Sequence, residues 1–229
     1  MNGTVVLIAI AVSFILGVIA CPVLIPVLHR LKFGQNIREE GPESHLKKSG
    51  TPTMGGIAIV AVMIIGAVPF VGMDRNLWFI LACTLLFGVI GFIDDWLKVR
   101  KKQSEGLKAY QKMGLQLIVT AAMVLYIALG TGTETIIPFI GTVDLKGWFY
   151  PIAVIAILGT VNGANFTDGL DGLASSVTIV IAGFFTVAAV VLGSGITPAT
   201  LSMIGALMAF LCFNCFPAKV FMGDTGSLA

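Results

Sequence analysis

Seven long apolar runs alternate with polar connections along this chain, and none of the seven contains Asp, Glu, Lys or Arg. They lie at approximately 4–28, 54–73, 77–93, 113–130, 148–166, 174–193 and 199–216. About 20 mostly apolar residues are needed for a helix to cross a bilayer, so each run predicts a spanning helix. The runs are continuous and lack the alternation of a membrane barrel's strands. Between the fourth and fifth, TIIPFIGTVDLKG sets β-branched residues around a Gly-Thr turn, which predicts a small hairpin within 131–147. The expected fold is an all-α polytopic membrane protein, with residues 1–229 forming one transmembrane domain of about seven spanning helices.

Composition agrees. Of 229 residues, 57% are hydrophobic and 11% charged, against about 25% charged in soluble domains. The first run is not a signal peptide, because its first basic residue, Arg30, follows the apolar stretch instead of preceding it. Cys21, Cys83, Cys212 and Cys215 all lie in apolar runs and read as small buried apolar residues; disulfides are not expected.

Charge position gives the orientation. If the connections alternate sides, one set comprises 29–53, 94–112, 167–173 and 217–229. It holds 12 of the 14 Lys and Arg residues, leaving Arg75 and Lys146 for the other side. The basic-rich side is expected to be cytoplasmic, with the N-terminus outside. Asp94, Asp95, Glu105, Asp168, Asp171 and Asp224 gather on that same side. A transporter more often carries its polar site at mid-depth. Polar groups at one face suit a site that meets a water-soluble reactant and a lipid-borne one.

Four clusters there can carry chemistry. PTMGG (52–56) ends the first basic connection; Thr51 or Thr53 can cap the next helix, and the glycines allow close packing. In GFIDDWLK (91–98), adjacent helical residues point about 100° apart. One of Asp94 and Asp95 can then meet a metal or reacting proton while the other orients a neighbour. The plainer alternative is an Asp95–Lys98 surface pair followed by a headgroup-binding basic run. In NGANFTDGLDGLA (162–174), Asn162, Asn165, Asp168 and Asp171 recur every third residue and share one broad helical face. Turn formation or capping of the next helix explains one aspartate but not four polar groups. In FMGDTGSLA (221–229), Gly223-Asp224-Thr225-Gly226 suits a turn into a helix, where a carboxylate can hold a hard divalent cation. Together these clusters offer carboxylates, lysines and amides, the equipment of phosphoryl transfer. No Walker, Rossmann, HExxH or GxSxG motif occurs.

PTMGG, DDWLK, GLKAYQK, NGANFTDGLDGLA and NCFPAKVFMGDTGSLA, in this order through the whole chain, resemble the polyprenyl-phosphate N-acetylhexosamine-1-phosphate transferases. Within them the wording is most similar to the bacterial phospho-N-acetylmuramoyl-pentapeptide transferases. The resemblance implies Mg²⁺-dependent transfer from UDP-N-acetylmuramoyl-pentapeptide to undecaprenyl phosphate at the bacterial plasma membrane, giving lipid I and UMP. It implies that Asp94 deprotonates or orients the lipid phosphate, with Asp95 beside it, and that Asp224 binds Mg²⁺ with Asp168 as a further metal residue. Lys98 and Lys112 would meet phosphates, and Asn162, Asn165, Asp168 and Asp171 would line the nucleotide and metal region. Lys48, Asn214, Gly223 and Phe221 would shape the nucleoside pocket, Phe221 by stacking on uracil. A sister enzyme transferring GlcNAc-1-phosphate, a lipid-substrate transporter and an inactive scaffold are the rival readings. Small-residue helix faces are compatible with a homodimer; nucleic acid is not expected as a partner. The family also implies about ten spanning helices and a later histidine-rich motif, so a polypeptide ending at Ala229 is expected to be inactive.

Overall fold

The structure, a computed structural model, describes residues 3–31, 50–70, 74–101, 103, 105–130, 132–137 and 140–229. Lys48 and most of the first basic connection lie outside the described residues. The helices are α1 (Gly3–Arg30), α2 (Gly56–Ala67, extended by a 3-10 turn Val68–Phe70), α3 (Arg75–Lys101), α4 (Ala109–Gly130), α5 (Phe149–Thr167), α6 (Leu173–Val191), α7 (Thr197–Asn214) and the short α8 (Gly223–Ser227). Six are long and apolar enough to cross a membrane; α2, with its 3-10 extension, is a seventh, shorter apolar segment.

The expected hairpin is present: β1 (Glu134–Ile137) pairs antiparallel with β2 (Gly141–Asp144), Glu134 opposite Asp144 and Ile137 opposite Gly141. It joins α4 to α5 at the end of the bundle opposite Asp94, Asp95 and Asp224.

Two helix ends and two caps depart from the sequence expectation; α4 starts at Ala109, four residues before the expected 113, so Lys112 is helical. Helix α3 runs eight residues past the expected end at 93, to Lys101. Asp94, Asp95 and Lys98 are therefore helical, not part of a connection. Hydropathy stops at the first charge, whereas the helix is carried on by the Asp94–Lys98 pair at i, i+4. Neither Thr51 nor Thr53 caps α2, whose N-cap is Gly55 without a side-chain bond. Nor does Asp171 cap α6, whose N-cap is Gly172 in the left-handed region, φ 72°.

The centre of the bundle is α1, α2 and α7. Met54, Ile59, Met63, Cys21, Leu207 and Phe210 belong to one buried apolar cluster there. The helices approach closely because small residues face one another: a Cβ on Gly205 would sit 2.5 Å from the Ile10 carbonyl oxygen of α1. Outward faces stay apolar and bare, as with Leu129, Val180 and Val191, which suits contact with lipid.

Candidate active site

The segments 50–56 and 215–227 are far apart in sequence and lie against each other. Phe221 N–H donates to the Pro52 carbonyl (2.8 Å), Gly55 N–H to Phe221 O (2.9 Å) and Gly56 N–H to Met222 O (2.8 Å). PTMGG is thus a backbone dock for the stretch that leads into α8. Met54 adopts φ 74° there with its side chain fully buried. A left-handed conformation is uncommon for a non-glycine residue, and here the flanking backbone bonds and the core hold it.

Helix α8 is gripped from two sides. A Cβ on Gly56 would fall 2.1 Å from Gly226 N, and one on Gly91 of α3 would fall 2.0 Å from the Asp224 carbonyl oxygen. Only glycine permits backbone this near. Asp95 completes the grip: its Oδ2 accepts from Thr225 N–H (2.9 Å) and from Thr225 Oγ1 (2.8 Å).

So held, Asp224 faces three other helices. Lys98 Nζ of α3 donates to its Oδ2 at 2.9 Å and Lys112 Nζ of α4 to the same oxygen at 2.8 Å. Asn165 Nδ2 of α5 donates to Asp224 Oδ1 (2.8 Å) and to Ser227 Oγ (2.7 Å). Lys98 also contacts Asp94 Oδ2 at 2.6 Å and Asp95 Oδ1 at 3.7 Å. Asp94 Oδ1 accepts from Leu107 N–H at 2.7 Å, which ties the connection 105–108 down over the site.

Burial alone would raise the Asp224 carboxyl, but its hydrogen bond with Asp94 and the Lys98 and Lys112 ammonium groups outweigh that. Asp224 is held well below the usual carboxylate range and is ionised at any physiological pH. One oxygen each from Asp94, Asp95 and Asp224 lie within 4.8 Å of one another. That is a donor set of hard oxygens, the kind Mg²⁺ takes. The ammonium of Lys98 lies among them and shows that the cluster attracts positive charge.

The remaining expected residues fall around this centre. Asp168 Oδ2 accepts from Gly223 N–H at 3.0 Å, and Asp171 Oδ2 from Ala218 N–H at 3.1 Å. These aspartates of the α5–α6 connection thus reach across to the first residue of α8 and to the stretch before it. Asn214 is buried, accepting from Gly172 N–H (3.0 Å) and donating to Val220 O (2.9 Å). Its amide joins the two loops. Asn162 turns away from Asp224, donating to Gln116 Oε1 and Leu158 O, both at 2.8 Å. Phe221 is half-buried beside Pro52. The motifs assign no partner to Thr225, Ser227 or Gln116. Two small hydroxyls in a connection and one amide in an apolar run give little signal until the fold shows their partners.

Burial pushes the Asp168 carboxyl up to about 7, with the Gly223 N–H opposing and the negative charges of Asp224 and Asp95 adding to the rise. A raised carboxylate pKa means the folded protein keeps a proton that the unfolded chain has lost. Stability therefore falls as pH rises from the ordinary range near 4 to about 7. In metal-free detergent, Asp168→Asn is expected to gain Tm over wild type at pH 8 and to gain little at pH 4. An advantage equal at both values would contradict the raised pKa. Asparagine can still accept from Gly223, so the comparison isolates the charge.

Residues 77–229 match the family model for glycosyl transferase family 4. Residues 48–60 match the phospho-N-acetylmuramoyl-pentapeptide-transferase signature 1. The chain is similar to the phospho-N-acetylmuramoyl-pentapeptide-transferase of Clostridium botulinum (strain Alaska E43 / Type E3), with 46% identity covering 98% of this chain and 70% of the relative. The enzyme so named from Clostridium perfringens (strain SM101 / Type A) is 46% identical over the same shares. That from Caldanaerobacter subterraneus subsp. tengcongensis is 45% identical over 98% of this chain and 72% of the relative.

Proposed function

The chain belongs to glycosyl transferase family 4 and, within it, to the phospho-N-acetylmuramoyl-pentapeptide transferases of peptidoglycan synthesis, and from that premise we propose how its residues perform the transfer. The donor is UDP-N-acetylmuramoyl-pentapeptide and the acceptor undecaprenyl phosphate. In net terms an acceptor phosphate oxygen becomes bonded to the phosphorus carried on the sugar, the pyrophosphate P–O bond breaks, and UMP leaves with lipid I as the other product. The site faces the cytoplasm, with the N-terminus on the opposite side, in keeping with the 12 of 14 basic residues counted to that face.

The convergence on Asp224 carries the reading. Lys98, Lys112 and Asn165, from three different helices, all donate to one carboxylate fixed by two glycine contacts. Phosphoryl transfer needs little covalent help from protein and depends on positioned charge. Asp224, with Asp94 and Asp95, would hold Mg²⁺, which when bound neutralises phosphate charge and orients the reacting oxygens. Asp94 orients or deprotonates the lipid phosphate. Lys98 and Lys112 keep 30% and 18% of their side chains exposed, so both can turn from Asp224 to phosphate oxygens. Asp95 positions Thr225 and, through it, α8. Asp168 supports the metal region through Gly223, and Asp171, Asn162 and Asn214 brace the walls. Phe221 and Lys48 belong to the nucleoside side, Phe221 stacking on uracil.

The test is UMP release by the protein expressed from its own gene, in detergent with undecaprenyl phosphate. UDP-N-acetylmuramoyl-pentapeptide and UDP-GlcNAc are compared, each with Mg²⁺ and with EDTA. Mg²⁺-dependent release from the muramoyl donor alone is expected. Release from UDP-GlcNAc would move the chain to the sister enzymes, and release unaffected by EDTA would remove the metal assignment. Lys112→Met should lower the rate by about 100-fold, since it takes a fixed positive charge from a developing negative one. A variant within about twofold of wild type would exclude Lys112 from phosphate contact.

A further inference from the structure

Gln116 of α4 is fully buried within a membrane-spanning helix, and none of the four sequence clusters includes it. It lies one turn from Lys112 on the same face, about 6 Å further into the bundle. Its Oε1 accepts from Asn162 Nδ2 of α5 at 2.8 Å. Its Nε2 has no partner among the described residues, and neither does Thr120 Oγ1 one turn deeper. Polar groups at such depth are costly and tend to be functional. A simple tie between two helices would be cheaper with apolar side chains, because an unmet buried amide carries a desolvation cost.

The two helices joined by this amide pair are those that deliver Lys112 and Asn165. Each sits one turn or less from the pair: Lys112 four residues before Gln116, Asn165 three after Asn162. Both then converge on the two oxygens of Asp224, Lys112 on Oδ2 and Asn165 on Oδ1, and Lys112 Nζ also contacts Asn165 Oδ1 at 3.4 Å. Beneath that convergence the Gln116–Asn162 bond is a buried polar link between α4 and α5, beside the apolar packing of Val119 with Ile157 and Val161. Sliding or rotation of one helix against the other would part Lys112 from Asn165.

We propose that Gln116 is a positioning residue for the transfer reaction: through Asn162 it sets the register of α4 against α5, so that Lys112 and Asn165 meet at Asp224. The proposal rests on the reading of Asp224 as the centre of the active site.

Gln116→Leu and Gln116→Met, the second matching glutamine in length, remove the bond and leave an apolar side chain. Each is expected to lower kcat between about tenfold and 100-fold, with KM for both substrates within about twofold of wild type. Asn162→Leu should lower kcat equally, and the Gln116→Leu/Asn162→Leu double variant should be no worse than either single one, the mark of two residues acting as one unit. Thr120→Val, on the same buried face one turn away, is the control and should keep wild-type kcat. Multiplying losses in the double variant, or a Thr120→Val loss equal to that of Gln116→Leu, would overturn the assignment in favour of general α4–α5 packing. Wild-type kcat in both Gln116 variants would overturn it outright. Asp224→Asn in the same assay separates the two levels. An active Asp224→Asn would remove the underlying reading, whereas an inactive one beside unaffected Gln116 variants would remove only this proposal.

Discussion

Asp224→Asn should lower UMP release by about a thousandfold and still yield folded protein. The substitution keeps the shape of the side chain and an oxygen that can accept from Lys98 or Lys112. It removes the negative charge that two ammonium groups and Asn165 now surround. A factor of a thousand is about 4 kcal/mol of transition-state stabilisation, reasonable for losing the proposed metal ligand and the anchor of both lysines together. Asp95→Asn is expected to act differently. Both recorded bonds of Asp95 Oδ2 go to Thr225, so the variant disturbs the seat of α8 and should cost Tm as well as rate. Steady-state rates with thermal unfolding in detergent distinguish the two. An Asp224→Asn variant retaining a tenth of wild-type activity would be incompatible with its central place.

Gly91→Ala and Gly56→Ala should each lower transfer by about 100-fold or more, for a reason unrelated to charge. The new methyl on residue 91 would meet the Asp224 carbonyl oxygen at 2.0 Å, and that on residue 56 would meet Gly226 N at 2.1 Å. Both obstacles are backbone, so no side-chain rotation relieves them. Displacing α8 moves the Asp224 carboxylate away from Lys98 and Lys112. Overpacking of this kind costs about 1–3 kcal/mol of stability, and a misplacement of about 1 Å costs roughly 100-fold in rate. Gly114→Ala on α4 is the contrast, since its Cβ would meet nothing within 4 Å. It should keep wild-type activity and gain slightly in stability from helix propensity. Equal activity in Gly91→Ala and Gly114→Ala would contradict the close approach of α3 to α8.

Most of the architecture was legible before any coordinates. Continuous apolar runs without a formal charge can only be satisfied in lipid as helices. The break TIIPFIGTVD announced the hairpin, later seen as β1 and β2. Where hydropathy misled was α3, because charge ends an apolar run but does not end a helix whose Asp94 and Lys98 pair along its own side. The site was legible as a set of residue types and not as a set of roles. Asp94, Asp95, Lys98, Lys112, Asn165 and Asp224 do come together. Nothing in the one-dimensional pattern said that Asp95 would bind Thr225, that Asp168 and Asp171 would accept from the backbone at and before the start of α8, or that Asn162 would turn to Gln116.

By itself, then, the sequence determined the membrane class, the helical secondary structure, the face on which polar groups gather and, by its motifs, the family. Each follows from local composition or spacing, because the bilayer acts on every segment independently of the others. Only the tertiary structure decided which carboxylate lies at the centre, which aspartates hold backbone, and why glycines stand at 56 and 91. Those roles depend on contacts between segments far apart in the chain, such as the 47 residues between Asp171 and Ala218 and the 130 between Asp95 and Thr225. A hydrogen bond over 3 Å, or a clash at 2 Å, exists only once packing has brought its two ends together.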